Sequence, residues 1–211
     1  MPRPPNPETR TKLLEAAFAI VRRKGYAATT VDDICRAAQL SKGAFFHNFR
    51  NKEELAVAAA DHWSDATGAL FQLADYHEAS DPLDRLLGYI AFRKQLIAGA
   101  PEAFTCLVGT MAQEAFATSP AIRDACWASI SGHAAKLVPD IEATIEAHGV
   151  RPDGWTAESL ARHTQAVLEG AFILAKASDD PAEATASIDH LDRYIRLLFN
   201  RPTGQCTRTS P

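Results

Sequence analysis

The sequence predicts an all-α protein in which a small N-terminal helix-turn-helix module precedes a larger helical domain. Hydrophobic residues make up 46% of the 211-residue chain, alanine is abundant and runs of β-branched residues are scarce, as is typical of helices that bury a core. Apolar residues recur at steps of three and four positions, and capping residues, glycine or proline separate about nine such segments. The chain is therefore expected to fold into helices alone.

The first predicted helix begins with Asn6 as its cap and Pro7 at its first helical position, and it ends near Lys24. Gly25 follows, and glycine readily adopts the left-handed conformation that stops a helix. Apolar residues form a wide stripe along one side of this segment. We expect that stripe to pack against the helices that come next in the chain.

Residues 30–52 fit two short helices, a tight turn and the start of a third helix into a helix-turn-helix arrangement. Each of the three helices has a capping signal, and these are Thr30 with Asp33, Ser41, and Asn51 with Glu54. The helical period places Ile34, Leu40, Phe45 and Phe49 inward and leaves Lys42, Gly43, His47 and Asn48 outward. The turn between the first two helices falls at Gln39.

Longer helices are predicted over residues 52–76, 82–99, 101–117, 120–148, 157–177 and 180–199, with a kink or break near Pro139. Residues 68–200 would then form the larger domain. Residues 201–211 lack an apolar period and are expected to be a disordered tail. Two sets of residues in the last two helices suit helix packing, namely Ala166 with Gly170, and Ile188, Leu191, Ile195 and Leu198.

Charge is unevenly distributed along the chain. Residues 1–50 carry nine Lys and Arg against four Asp and Glu, whereas residues 51–211 carry thirteen against twenty-two, within an overall charge of −4. A basic N-terminal segment on an acidic body predicts that the phosphate-facing surface lies at the N-terminal end.

The cysteine, histidine and hydropathy patterns argue against a disulfide framework, a metal site and a membrane span. Cys35, Cys106, Cys126 and Cys206 form no CxxC pair, so reduced and mostly buried thiols are expected. The seven histidines have no ligand spacing, and no metal or cofactor is predicted. No run of about 18 apolar residues suggests a membrane span, and the N-terminal segment lacks a signal-peptide core, so we expect a cytoplasmic protein.

The segment SKGAFFHNFRNKEEL identifies a resemblance to a known family. It is similar to the DNA-binding motif of the TetR family of transcriptional regulators, and the resemblance is strongest over residues 7–67. Members add a larger helical domain whose last two helices form a dimer, and most are repressors that a small ligand releases from DNA. The resemblance therefore implies a homodimer, a palindromic double-stranded operator and a small-molecule effector.

Candidate DNA contacts cluster around the second helix of the motif. They are Thr30, Ser41, Lys42, Gly43, Ala44, Phe46, His47 and Lys52. Small residues in the first turn bring the backbone close to base edges, Lys42 can donate to guanine or phosphate, and Thr30 and Lys52 lie at helix N-termini suited to phosphate. Two positions depart from the family pattern. Phe46 replaces a tyrosine, a loss on the order of 1 kcal/mol if the hydroxyl reached a phosphate, and Gln39 replaces a glycine, which predicts mild backbone strain.

The resemblance also implies an effector cavity in the larger domain and a dimer interface in its last two helices. The aromatic and apolar candidates for the cavity are Trp63, Tyr89, Phe92, Phe104, Met111, Trp127 and Phe172, and the polar ones are Gln113, Glu114, Gln165 and Glu169. The interface candidates are Ala166, Gly170, Ile188, Leu191, Ile195 and Leu198. Aromatic residues at helical spacing are more often core than ligand contacts.

Three alternatives to a ligand-released repressor remain at the level of sequence. Cys106 suggests a thiol-based sensor of electrophiles, although no adjacent His or Lys is placed to lower its pKa. A second alternative is a helical enzyme or carrier with a vestigial DNA-binding head. The sequence contains no GxSxG, P-loop or GxGxxG motif that would support an enzyme. A third is an architectural DNA-binding protein that has no effector.

Overall fold

The computed structural model describes residues 7–200, and every regular element in that range is helical, which confirms the predicted fold class. In chain order the elements are α1 (Pro7–Lys24), α2 (Val31–Ala37), α3 (Lys42–Asn48), α4 (Lys52–Gln72), a 3-10 turn (Asp75–Glu78), α5 (Pro82–Gln95), α6 (Pro101–Phe104), α7 (Leu107–Ala115), α8 (Pro120–Ala135), α9 (Val138–Ala147), α10 (Ala157–Ser178) and α11 (Pro181–Leu198). The predicted cap Asn6, Cys206 and the tail 201–211 lie outside the described residues.

Two predicted helices are each divided, so residues 7–200 contain eleven α-helices. The helix expected over residues 101–117 is interrupted because Thr105 is extended, with ψ 160°, and Cys106 begins α7 as its cap. The Cys106 sulfur accepts a hydrogen bond from the Gly109 N–H at 3.4 Å. Cys106 therefore lies at a helix start and not within a helix as predicted.

The other divided helix follows the sequence signal. The break expected near Pro139 separates α8 from α9, and Pro139 lies in the first turn of α9, where its missing N–H is not needed. α4 is shorter than expected, since it ends at Gln72 and the chain continues into the 3-10 turn.

The chain forms two compact units, each built from two separate stretches of sequence. The first contains Met1–Leu73 and Gly99–His133, and the second contains Ala74–Ala98 and Ala134–Pro211. These units do not follow the predicted division between residues 67 and 68, because α6 and α7 pack on α1 and bring residues 99–133 into the first unit.

Each unit has its own buried residues. In the first unit, α1, α2, α3, α4, α7 and α8 share one core that includes Leu13, Ala17, Ile34, Phe45, Phe49, Leu55, Leu107, Met111 and Ile122. In the second, α5 packs with α9 and α11, and α10 packs with α9 and α11, burying Leu83, Leu86, Ile90, Ile141, Leu160, Leu168, Ile188, Leu191 and Ile195. No helix within residues 7–200 is long and apolar enough to cross a bilayer.

Candidate nucleic-acid interface

Local hydrogen bonds define the start of α2 as the sequence predicts. The Thr30 hydroxyl accepts from the Asp33 N–H at 3.2 Å, and the Asp33 carboxylate accepts from the Thr30 N–H at 2.9 Å, which completes a capping box. The same carboxylate also accepts from the Thr30 hydroxyl at 2.6 Å and from Lys24 Nζ at 2.5 Å. These contacts hold the pKa of Asp33 well below its usual range, with the Lys24 hydrogen bond as the largest cause.

The turn between α2 and α3 is closed by a left-handed residue. Gln39 has φ 55°, the left-handed conformation that glycine adopts most easily and that costs a residue with a Cβ some strain. The Leu40 N–H donates to the Cys35 carbonyl at 2.9 Å, and the Gln39 N–H donates to the Arg36 carbonyl at 3.2 Å. This pair of bonds is a Schellman motif, which satisfies the last carbonyls of α2 and sets the direction of the chain into α3.

α3 has a buried face and an exposed face. Phe45 and Phe49, together with Ile34 of α2, are almost fully buried in the first unit, as predicted, and Leu40 is half-buried. The exposed side consists of Ser41, Lys42, Gly43, Phe46 and His47, while Ala44 is half-buried. α3 thus presents a mixed surface of one cation, one imidazole, one aromatic ring and small residues.

Asn48 differs from the expected outward position. Its side chain is half-buried, its amide nitrogen donates to the Ala44 carbonyl at 2.8 Å, and its Oδ1 is enclosed without a hydrogen-bond partner. Arg10 of α1 supports this end of α3, because its guanidinium donates to the Asn48 carbonyl at 3.2 Å and lies 4.3 Å from the centre of the Phe49 ring. Sequence reasoning missed Arg10, since it lies 38 positions away from its hydrogen-bond partner.

Lys42 is exposed and paired with an acid from the preceding helix. Its Nζ lies 2.7 Å from Oδ1 of Asp32, whose side chain is also exposed, and this hydrogen bond raises the pKa of Lys42. Ser41 caps α3 by accepting from the Ala44 N–H at 3.1 Å. An accepting hydroxyl keeps its own proton available to a further acceptor.

Lys52, a predicted phosphate contact, makes several contacts within the protein. Its ammonium is half-buried, donates to the carbonyls of Tyr26 at 3.0 Å and Thr29 at 2.9 Å, and lies 4.2 Å from the centre of the Tyr26 ring. Burial lowers the pKa of Lys52. We therefore assign it a structural role, in which the start of α4 is fastened to the loop between α1 and α2. The Thr30 hydroxyl proton is likewise directed at Asp33.

Glu114 of α7, predicted as a ligand contact, also fastens that loop. Its Oε2 accepts a hydrogen bond from the Ala27 N–H at 2.7 Å, and its carboxylate lies against Gly25, which has φ 86°. The confirmed left-handed stop at Gly25 therefore has a second requirement, because any Cβ there would collide with Glu114. A further polar contact joins the Ser119 hydroxyl to the Glu53 carboxylate of α4.

The other candidate effector contacts divide between the two units. In the first unit, Trp63 packs edge-on against Phe18 at 5.3 Å, Phe104 is half-buried and Met111 belongs to the core. Trp127 is 60% exposed on α8. Gln113 is exposed and donates to the Gly109 carbonyl at 3.1 Å.

Cys106 has a cationic neighbour that the sequence did not indicate. The Cys106 thiol is half-buried. Burial lowers the pKa of Arg22, and its interactions with Cys106 and Glu102 partly offset that lowering. The Arg22 guanidinium also donates to the Ala103 carbonyl at 3.0 Å. Adjacent His and Lys were the expected signals, and the cation instead comes from α1, 84 positions earlier in the chain.

In the second unit a polar cluster lies among buried side chains. Gln165 is buried and its amide nitrogen donates to the Tyr89 hydroxyl at 2.9 Å, while its oxygen accepts from Arg93 at 3.3 Å. The Arg93 Nε also donates to the Tyr89 hydroxyl at 3.0 Å. Of the remaining candidates in this unit, Phe92 and Glu169 are half-buried and Phe172 is buried.

The predicted interface residues of α11 have a different location. Ile188, Leu191 and Ile195 are at most 2% exposed within a single chain, because this face of α11 packs inward on α10 and α5. They are therefore not available to a second subunit, and Leu198 is half-buried. The expected positions on α10 are accessible in the single chain, since Ala166 is exposed and Gly170 is partly exposed with open space around its Cα.

The outward faces of α10 and α11 carry a different apolar set. The exposed residues are Ile173 and Leu174 on α10, and Tyr194 and Leu197 on α11. Ile173 and Leu174 follow Ala166 and Gly170 along α10 at steps of three and four residues, and His163 of α10 contacts the Tyr194 ring at 5.3 Å. The apolar period in α11 thus indicated the inward stripe, whereas the exposed stripe is offset from it by one or two positions.

Together, the fold and the exposed face of α3 define a helix-turn-helix protein with a helical body. The chain belongs to the TetR family of bacterial regulatory proteins. Residues 13–59 match the family model described as bacterial regulatory proteins, tetR family, and residues 82–186 match the model of the C-terminal domain of LmrA/YxaF-like transcriptional regulators.

Individual relatives and structures agree with this assignment. The chain is 30% identical over 140 residues to the HTH-type transcriptional regulator LmrA of Bacillus subtilis, covering 58% of this chain and 69% of that protein. It is 31% identical over 102 residues to the transcriptional regulator AcuR of Cereibacter sphaeroides, and this match spans 48% of the chain and about half the length of AcuR, at 47%. The fold is similar to a TetR family regulator from Agrobacterium tumefaciens, with a TM-score of 0.76, 24% identity, and coverage of 94% of this chain and 100% of that one.

Proposed function

We propose that the protein is a DNA-binding transcriptional repressor that acts as a homodimer on a palindromic operator and is released by a small-molecule effector. The observation that carries the DNA-binding part is the exposed face of α3, where Lys42, Gly43, Phe46 and His47 are presented together by a capped and internally bonded two-helix frame. In helix-turn-helix proteins the second helix enters the major groove with such a face.

The residues on this face divide by chemistry. Lys42 and His47 supply donors for guanine acceptors or phosphate oxygens, and Gly43 and Ala44 let the backbone come close to base edges. The Ser41 hydroxyl oxygen accepts a hydrogen bond from the Ala44 N–H, and the hydroxyl proton can still be donated to a phosphate. Thr30 and Lys52 are left out of this set, since the Thr30 hydroxyl proton and two of the three protons of the Lys52 ammonium are donated within the protein.

A homodimer is supported by the exposed stripe on α10 and α11. Ile173 and Leu174 on α10, and Tyr194 and Leu197 on α11, are exposed apolar side chains on two helices that pack together, and small residues on α10 permit close helix contact. Two copies related by a two-fold axis would pack these helices as a four-helix interface. Such symmetry matches two half-sites separated by about 34 to 36 Å along the duplex.

DNA binding is tested with duplexes selected from a random-sequence pool by the full-length protein. We expect a palindromic sequence to be enriched and protected in a footprint. Lys42→Ala should weaken binding to it by about 1 to 3 kcal/mol and relax base preference. The matched control is Lys136→Ala, which removes an equal charge from an exposed position on the second unit and should leave binding unchanged. Equal effects of the two variants would contradict a specific role for α3.

Dimerisation is tested by sedimentation of full-length variants. Leu197→Glu places a charge on a side chain that is 71% exposed in one chain, so it should produce folded monomers. Ile195→Glu, two positions earlier in α11, should instead unfold the second unit because that side chain is fully buried. A dimer that persists in Leu197→Glu would exclude this surface as the interface.

Repression and release are tested with the selected operator placed at a promoter. The protein should lower transcription in vitro, and a rise would make it an activator. A small-molecule library screened by thermal shift should yield compounds that stabilise the protein and weaken its operator binding. The cluster of buried Gln165 and Tyr89 with half-buried Arg93 supports a polar contact for such a ligand. Stabilising compounds that leave operator affinity unchanged would remove the release step from the proposal.

A further inference from the structure

Phe46 is an exposed aromatic residue in the middle of a surface that is otherwise polar or small. Its side chain is 56% exposed, whereas Phe45, the residue before it, and Phe49, which directly follows α3, are at most 1% exposed. Its neighbours on the exposed face are Lys42, one helical turn earlier, and His47. An apolar ring at this position has no intramolecular core to join.

The ring of Phe46 is supported from below. It packs edge-on against the buried ring of Phe45, with centroids 5.2 Å apart and an interplanar angle of 80°. Phe45 itself belongs to the core of the first unit. A ring held in this way loses little rotamer freedom when a partner covers it, which favours contact with a defined chemical group.

We infer that Phe46 is a specificity-determining residue that packs on the C5-methyl group of a thymine in the major groove of the operator. This inference rests on the proposed function and names the base chemistry that the same surface reads. The phenyl ring has no hydroxyl to donate to a phosphate, and covering a phosphate with it would desolvate the anion without compensation. The thymine methyl group is the apolar feature that the major groove displays, and phenylalanine is among the residues that contact it.

Neighbouring residues leave room for this contact and indicate where along the duplex the thymine should lie. A Cβ added at Gly43 would meet only the Ser41 hydroxyl oxygen, at 3.6 Å. No side chain therefore fills the space one turn before Phe46, and DNA can approach the helix there. Lys42 and Phe46 lie four positions apart on one side of α3, a distance of about one helical pitch of 5.4 Å. Base pairs stack about every 3.4 Å. The thymine should therefore lie within about two base pairs of the group that Lys42 contacts.

The test replaces thymine by deoxyuridine, which lacks only the C5-methyl group. Full-length protein is first used to select a duplex from a random-sequence pool, and each thymine of that duplex is then replaced in turn. We expect one position in each half-site at which the replacement weakens binding about fourfold, the value for one buried methyl group. In Phe46→Ala the same replacement should have no effect, whereas Phe46→Leu should retain part of it.

Phe116→Ala is the matched control. It removes the same ring from a side chain that directly follows α7 and is 61% exposed, and it should preserve the fourfold preference for thymine. Equal binding of thymine and deoxyuridine duplexes by the unmodified protein, or an undiminished preference in Phe46→Ala, would overturn the inference and leave the proposed function intact. Selection that enriches no sequence would overturn the proposed function and the inference with it.

Discussion

Lys42 and Asp32 form an ion pair across the two helices of the DNA-binding motif, with Nζ 2.7 Å from Oδ1. Both side chains are exposed, so the pair contributes little to stability in water. Its effect on DNA is larger, because a carboxylate beside the principal cation of α3 repels phosphate and competes for the ammonium. The ion pair therefore favours DNA sequences that offer Lys42 an acceptor able to replace Asp32. It disfavours DNA that offers only backbone phosphates.

Asp32→Asn should strengthen binding to unrelated DNA more than binding to the selected operator. The substitution leaves Lys42 free to contact any phosphate, so the ratio of specific to non-specific affinity should fall several-fold, with a steeper dependence on salt. Fluorescence anisotropy with operator and scrambled duplexes at two salt concentrations measures both quantities. Glu142→Gln on α9 makes the same charge change at an exposed position of the second unit. An identical response there would show that net charge, and not the ion pair, is responsible.

Gln39→Gly should stabilise the protein. The native residue has φ 55°, and relief of that strain should exceed the extra chain entropy that glycine gives the unfolded state, for a net gain of about 0.5 to 1 kcal/mol. Urea unfolding of the full-length protein measures the change. Gln39→Ala keeps the strained backbone while removing the same exposed side chain, so it should give no gain. A comparable gain in both variants would trace the effect to the side chain.

Gly25→Ala should destabilise the protein through two separable causes. The left-handed backbone accounts for about 1 to 2 kcal/mol, and displacement of the Glu114 carboxylate adds to it. In a Glu114→Ala background the second cause is absent, so the same glycine substitution should be less damaging. A double-mutant cycle from urea unfolding gives the coupling between the two positions. Additive losses would mean that Glu114 moves aside freely.

The Asp33 carboxylate should make stability dependent on acidic pH. Its pKa is lowered in the folded protein by Lys24 and Thr30, so the ionised form stabilises the fold. That contribution is complete above the ordinary value of 3.8 and is lost as the pH falls through the lower folded pKa. The stability difference between the natural protein and Asp33→Asn should therefore be constant from about pH 7 to pH 5 and shrink below about pH 4. Acid unfolding followed by circular dichroism checks this, and a difference independent of pH would contradict it.

The local features of the DNA-binding motif were predictable because their signals are close in sequence. The Thr30 box, the Ser41 cap and the left-handed Gly25 each depend on residues within about four positions. The inward position of Phe45 and Phe49 follows from the helical period alone. Asn51 also caps α4 as predicted, through the Glu54 N–H at 2.8 Å, although the Glu54 carboxylate accepts from the Arg50 N–H and not from the cap residue.

Long-range contacts decided the features that the sequence did not predict. A helical period shows that one face of α11 is buried, but it does not show what covers that face. Ile188 and Leu191 were therefore predicted to contact a partner subunit, whereas they are buried within their own chain. A charged side chain has a similar ambiguity. Lys52 and Glu114 looked available for ligands, yet they bind backbone groups 23 to 26 and 87 positions away, respectively.

The packing of α6 and α7 on α1 also limits which parts of this chain can be exchanged with those of a relative. Leu107, Val108 and Met111 close the same core as Leu13 and Phe45, although some sixty positions separate them from the motif. A chimaera that transplants residues 7–67 alone would leave those apolar surfaces exposed on both fragments. Operator preference should therefore be inherited together with residues 99–133, and grafts that carry both stretches should be the ones that fold.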